Sequence, residues 1–161
     1  MALGSNLAGG FATSEALLDA ALAQFPQAGL PVLAQSRWWR SAAWPDPKGN
    51  EYRNGVAIVE ANGPPEAVLE ALFAIERAFG RMRGQPNTAR TLDLDLIAYG
   101  REACDRPGLI LPHPRAHQRL FVMGPLAEIA PDWRHPVSGM TAVELARGAS
   151  VGRDATPAPT P

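Results

Sequence analysis

A single cysteine, Cys104, stands in the 161 residues, so no intrachain disulfide can form and a reducing compartment fits the chain. A buried, unreactive thiol is its expected state. No apolar run approaches the ~20 residues needed to span a bilayer. Nor does a basic region followed by an apolar one open the chain, so no secretory signal is read and the cytoplasm is the expected location. Charge of one sign is also missing. A formal net charge of −1 with 46% hydrophobic residues describes a soluble globular chain, not the strongly basic field of a nucleic-acid binder. No Ser–His–Asp pattern is apparent and the cysteine has no evident partner, which argues against a covalent intermediate. The glycine-rich opening, Gly4-Ser5-Asn6-Leu7-Ala8-Gly9-Gly10, matches neither the P-loop nor the dinucleotide fingerprint and reads as a turn between a strand and a helix. The length fits one domain with one core of ordinary size.

What the chain does have is concentrated in Ala89-Arg90-Thr91-Leu92-Asp93-Leu94-Asp95-Leu96-Ile97-Ala98-Tyr99-Gly100. Leucines and acids alternate there with the period of a strand, so Leu92, Leu94 and Leu96 share one side and Thr91, Asp93 and Asp95 the other. Residues two apart on one face lie roughly 6.5–7 Å apart at Cα, close enough for both carboxylates to hold one or two hard cations. Asp is depleted in strands, so the pair reads either as the solvated face of a half-buried strand or as an all-oxygen magnesium site. Arg90 beside it favours the second, because a cation next to a metal site serves a phosphate. Arg81 and Arg83 crowd the same loop.

Taken in order, Thr13 or Ser14 can cap a helix whose apolar face is Leu17, Leu18, Ala21, Leu22 and Phe25. A strand is expected over about 32–40, carrying Trp38 and Trp39, followed by a long loop from Ser41 to Asn50. Another strand runs from Tyr52 to Glu60, and a helix from about Pro65, a good first helical residue, to about Phe79. Leu72, Ile75 and Phe79 form its buried stripe. Glu76 falls at the stripe's margin, as a plain boundary residue or as a carboxylate facing a cleft. After Leu109-Ile110-Leu111, His113 sits between two prolines, as a phosphate donor or a structural turn residue. His117 and His135 are left as surface or packing residues. A short last helix is expected over 141–146, and the Ala/Pro/Thr/Gly-rich stretch 147–161 is expected to be disordered. The order β-α-β, β-α-β predicts a ferredoxin-like α+β fold, βαββαβ, with one domain over 1–146. Its helices would pack on one face of a mostly antiparallel sheet and leave the other face for a ligand.

Two carboxylates on a strand, arginines at 81, 83, 90 and 119, and His113 make the donor set a polyphosphate and its metal require. Such a site suits phosphoryl transfer, where positioning and charge neutralisation do nearly all the work. GSN at 4–6, Tyr52-Arg53-Asn54, ARTLDLDLI at 89–97 and LPHPRAHQRLFV at 111–122 closely resemble the hydroxymethyldihydropterin pyrophosphokinase family of folate biosynthesis, over roughly residues 1–146. The resemblance implies a transferase that moves the two terminal phosphates of ATP, as a unit, to 6-hydroxymethyl-7,8-dihydropterin and releases AMP. By the same resemblance, Asp93 and Asp95 match the ligands of two Mg²⁺ ions. Arg81, Arg83, Arg90, His113 and Arg119 match phosphate contacts, with Arg81 and Arg90 catalytic beside the two acids, and Glu76 matches a nucleotide-site position. Tyr52 and Phe121 match an aromatic pair around the pterin, with Asn54, Ser41 and Trp44 at its rim. A flat heteroaromatic wants stacking on its faces and fixed polar groups at its edge.

Three departures stand out. Gln85-Pro86-Asn87-Thr88 lacks the Arg and Trp that many members carry in that loop, and Pro114 replaces a common aromatic. Members also begin with a complete strand before the GSN turn, so the first strand is expected to be truncated, by a late start. The partners expected are ATP and the pterin, with no nucleic acid, no membrane and a monomeric enzyme. The rival readings are a non-catalytic nucleotide-binding relative and a ferredoxin-like RNA-binding module, whose phosphate backbone the two acids would repel.

Overall fold

The structure is a computed structural model that describes residues 1–43, 48–80 and 91–159. Its elements are β1 (Ala2–Ser5), α1 (Ser14–Leu22), β2 (Val32–Gln35), β3 (Trp39–Ser41), β4 (Tyr52–Val59), α2 (Pro65–Ala78), β5 (Asp93–Asp95), β6 (Cys104–Arg106), β7 (Leu109–Leu111), a 3₁₀ turn (Ala116–Gln118), α3 (Leu120–Ile129), α4 (Ala142–Gly148) and β8 (Thr156–Pro157). The main sheet runs β5-β1-β4-β3-β8, with β2 also on β4, and β6 and β7 form a separate hairpin. Every strand pairing is antiparallel. The α+β class read from the sequence is the one observed, and the βαββαβ order is present with its second strand broken into β2 and β3 and with β6, β7, α3, α4 and β8 added after it.

Local chemistry explains the boundaries. Thr13 caps α1 by accepting the Ala16 N–H at 3.1 Å. Pro65 opens α2 where its missing N–H costs nothing. The strand expected over 32–40 is interrupted at Ser36, whose hydroxyl accepts the Val56 N–H at 3.0 Å. Beyond the break the consecutive tryptophans point to opposite faces, as successive residues of extended chain do. Trp38 lies over Gly55 and donates to Asp19 of α1 at 3.0 Å, while Trp39 lies against Gly124 of α3. A Cβ added at either glycine would meet its indole at 2.5 Å.

Leu3, Ala57, Leu92 and Leu94 pack under α1 and α2 with Leu17, Leu18, Leu72 and Ile75. The opposite side of the sheet is not left entirely open, contrary to expectation. Val56 and Ile97 pack there with Val122, Met123 and Leu126 of α3 and Leu145 of α4. Helix α3 was hidden in the sequence because it contains Gly124 and Pro125. The helix expected over 141–146 is α4, opened by a capping box between Thr141 and Glu144.

The expected disorder of 147–161 is corrected for its described part. Ala149 and Ala155 are buried, Val151 bridges Arg119, and Thr156 and Pro157 pair with Arg40 and Trp39. Small residues let this segment lie close on the sheet and satisfy its backbone there, so it needs no large apolar side chains of its own. Among the described residues, no helix is long and apolar enough to cross a membrane.

Candidate active site

The register of the sheet decides which side chains meet. Gly4 of β1 is opposite Asp93 on one side and Asn54 on the other, and Asn54 is opposite Trp39. Directly opposed residues point to the same face. Asp93, Gly4, Asn54 and Trp39 therefore form one row across four strands. The next row holds Asp95, Ala2 and Val56. Both acids share the face that carries Asn54, and Leu94 between them is buried on the other. Gly4 leaves the row without a side chain between Asp93 and Asn54; a Cβ there would lie 3.4 Å from the Asn54 amide oxygen. With strands spaced about 4.8 Å, the acid and the amide stand on the order of 10 Å apart across this trough.

At one end of the trough, Tyr52 pairs with Ser41. The buried Asn54 amide donates to the buried Ser41 hydroxyl at 3.0 Å, which fixes a polar edge in an apolar setting. Phe121 lies in the first turn of α3, half-buried, with the Arg119 guanidinium 5.7 Å from its ring centre. Arg53, in the same motif as Tyr52 and Asn54, points to the other face and pairs with Glu15 of α1 and with Glu51.

At the other end lies a cavity of about 600 Å³, bounded by Asp95 and His113 and walled by Leu69, Phe73, Leu109 and Ile110. His113 is held by its own N–H, which donates to the Ile97 carbonyl at 2.8 Å. Its ring Nδ1 accepts the Arg115 N–H at 3.2 Å, so Nε2 carries the proton in the neutral ring. Burial pushes the His113 pKa below its ordinary value against the pull of Asp95, and Arg119 and Arg115 push it the same way as burial. The ring is thus a neutral donor beside a carboxylate, and Arg119 is near enough to act on it.

Glu76 takes a different place from either sequence reading. It is buried on α2, and its Oε1 accepts the Leu94 N–H at 2.7 Å. It thereby satisfies the outer edge of β5 midway between the two aspartates. Arg81, Arg83, Arg90 and Trp44 lie outside the described residues.

Among the described residues no cluster of three or more His, Cys, Asp or Glu forms a cation cage. Two carboxylates on adjacent same-face positions suit a hard ion that draws its remaining oxygens from water and phosphate, which is how Mg²⁺ is bound in nucleotide sites. The residues present fit that ion.

The sequence reading missed the cavity walls. Leu69 and Phe73 recur four apart on α2, a stripe that was available, and Leu109 and Ile110 become a wall only through the β6–β7 hairpin turning at Gly108, whose φ is +81°. The contribution of 149–158 was missed as well.

Over residues 1–131 the sequence matches the family described as 7,8-dihydro-6-hydroxymethylpterin-pyrophosphokinase. A 2-amino-4-hydroxy-6-hydroxymethyldihydropteridine pyrophosphokinase of Synechocystis is 45% identical over 118 residues, 73% of this chain and 60% of that protein. The chain therefore spans less than two thirds of that relative's length. Proteins of the same name from Pseudomonas aeruginosa and Haemophilus influenzae are 41% and 37% identical, over 84% and 82% of this chain and 82% and 81% of their own lengths.

Proposed function

This chain belongs to the 7,8-dihydro-6-hydroxymethylpterin-pyrophosphokinase family, and from that premise we propose that it transfers pyrophosphate from ATP to 6-hydroxymethyl-7,8-dihydropterin, a step of folate biosynthesis. The observation that carries this reading is the shared face: Asp93 stands in one row with Asn54 across the bare Gly4, and Asp95 stands on the same face in the next row. Asp93 and Asp95 would hold two Mg²⁺ ions, whose chemistry is to neutralise the triphosphate and lower the pKa of the attacking alcohol. The apolar cavity walled by Leu69, Phe73, Leu109 and Ile110 takes the nucleotide base. His113 presents its Nε2–H to phosphate oxygens, and Arg81, Arg83, Arg90 and Arg119 bind others through their guanidinium forks.

Tyr52 and Phe121 stack on the pterin faces, and Ser41, Asn54 and Trp44 read its rim. This directs the hydroxymethyl group across the trough towards the β-phosphorus. A bond forms between the alcohol oxygen and the β-phosphorus, the bond from that phosphorus to the α,β-bridging oxygen breaks, and AMP leaves. The hydroxyl proton passes to solvent. We take the active species as a monomer in the cytoplasm, which fits the single cysteine. Mixing the protein with ATP, Mg²⁺ and the pterin and separating the nucleotides tests the reading. One AMP per pterin consumed is expected; ADP as the only product, or unchanged ATP, contradicts it.

A further inference from the structure

Residues 150–158 lie beyond the stretch matched by the family and run from the start of α3 to β3, at the end of the trough that holds Phe121 and Ser41. At one end they hold the start of α3. That helix has no side-chain cap; instead the Leu120 N–H donates to the Val151 carbonyl at 2.9 Å, and the Ser150 and Val151 N–H groups donate to the Gln118 carbonyl at 3.0 and 2.9 Å. Gly152 follows with φ +65°, a conformation that side chains rarely adopt, and a Cβ added there would lie 2.3 Å from Phe121 Cδ1. The glycine therefore sets how far back the Phe121 ring can sit. At the other end, the Asp154 carboxylate accepts the Ala42 N–H at 2.5 Å, directly after Ser41. Thr156 and Pro157 then add to β3, and the Ala158 N–H donates to the Trp38 carbonyl at 2.8 Å.

We propose that this strap is the back wall of the pterin subsite, with Gly152 and Asp154 as positioning residues that set Phe121 against one face of the ring and the Ser41–Ala42 backbone at its rim. The inference rests on the pyrophosphokinase reading above. Neither residue lines the nucleotide cavity, whose walls come from α2, β5, the β6–β7 hairpin and the His113 loop. The strap's contribution is thus confined to the pterin.

The test is steady-state AMP formation with the pterin and ATP varied separately, in wild type and variants whose folding is checked by circular dichroism. Gly152→Ala is expected to raise the pterin KM by about tenfold or more, the scale of a misplaced binding group, with the ATP KM within about twofold. Gly29→Ala, at φ +78° with open space around the added Cβ, controls for backbone strain and should leave both constants unchanged. Asp154→Ala should raise the pterin KM alone, and Asp154→Asn, which keeps an acceptor oxygen, should restore it. If Gly152→Ala does not fold, the Asp154 pair decides. An unchanged pterin KM, or equal rises in both constants, overturns the inference while leaving the activity standing. Absence of AMP from the wild type overturns the reading itself and the inference with it.

Discussion

Asp93 and Asp95 share a face but keep different company. Asp93 stands across Gly4 from Asn54, whereas Asp95 borders the cavity with His113. Replacing Asp95 by alanine should lower kcat by at least about a hundredfold, the scale of losing a group that stabilises transition-state charge, without disturbing the circular dichroism spectrum. Activity within tenfold of wild type would reject the metal assignment. A second residue-scale prediction concerns His135. Its Nδ1 accepts the Val137 and Ser138 N–H groups at 3.3 and 3.2 Å, and its ring lies 5.5 Å from that of His117 and 6.0 Å from that of Trp133. Burial, and then the neighbouring His117, push its pKa below the ordinary 6.5. The unfolded chain therefore binds protons more readily just below that pH, so stability falls as pH drops from about 6.5 towards the folded value. His113 contributes with the same sign. His135→Asn keeps an acceptor for the two amides and should flatten the fall of Tm with acidity; an unchanged slope would reject this account. The acids were legible in the sequence because alternation is local. His135 was read only as a surface or packing residue, because its partner His117 comes near through the turn at 116–118 and the loop after α3.

Between elements, the apolar packing of α2 on β5 is joined by a hydrogen bond from the Leu94 N–H to the Glu76 carboxylate. Removing it in Glu76→Ala leaves the Leu94 N–H buried without its acceptor, a loss of about 1–3 kcal/mol that denaturant unfolding would read. Glu76→Gln retains an oxygen and should lose less; equal losses would show that packing, not the hydrogen bond, matters there. The sequence placed Glu76 at the margin of a helical stripe, and helical periodicity alone could not say that the margin faces a strand edge. Helices α1, α2 and α4 were legible from capping residues and apolar spacing. Helix α3 was not: Pro125 lacks the amide that would reach the Phe121 carbonyl, and Gly124 is there to admit the Trp39 ring. The segment 150–158 failed to announce itself for a related reason. Its alanines and glycine are small because they lie against Phe121 and the sheet, a tertiary requirement that looks like low complexity in one dimension.

At the scale of the molecule, the antiparallel sheet separates two jobs. One face carries the larger apolar cluster under α1 and α2, which holds the strands in register. The other is shared between the α3–α4 cluster and the row of Asp93, Gly4, Asn54 and Trp39. A slip of one residue in β5 would turn both aspartates into the core and Leu94 out of it, so the apolar packing of Leu92, Leu94 and Leu96 is what aims the acids. The βαββαβ order was readable because each element carries its own period. The partial cover of the second face was not, since it depends on α3. The most direct test of the whole arrangement follows the label from ATP marked at the β-phosphorus. The account predicts that the label moves into the pterin product and that unlabelled AMP is released in equal amount. Label retained on the nucleotide as ADP, with a singly phosphorylated pterin, would contradict it.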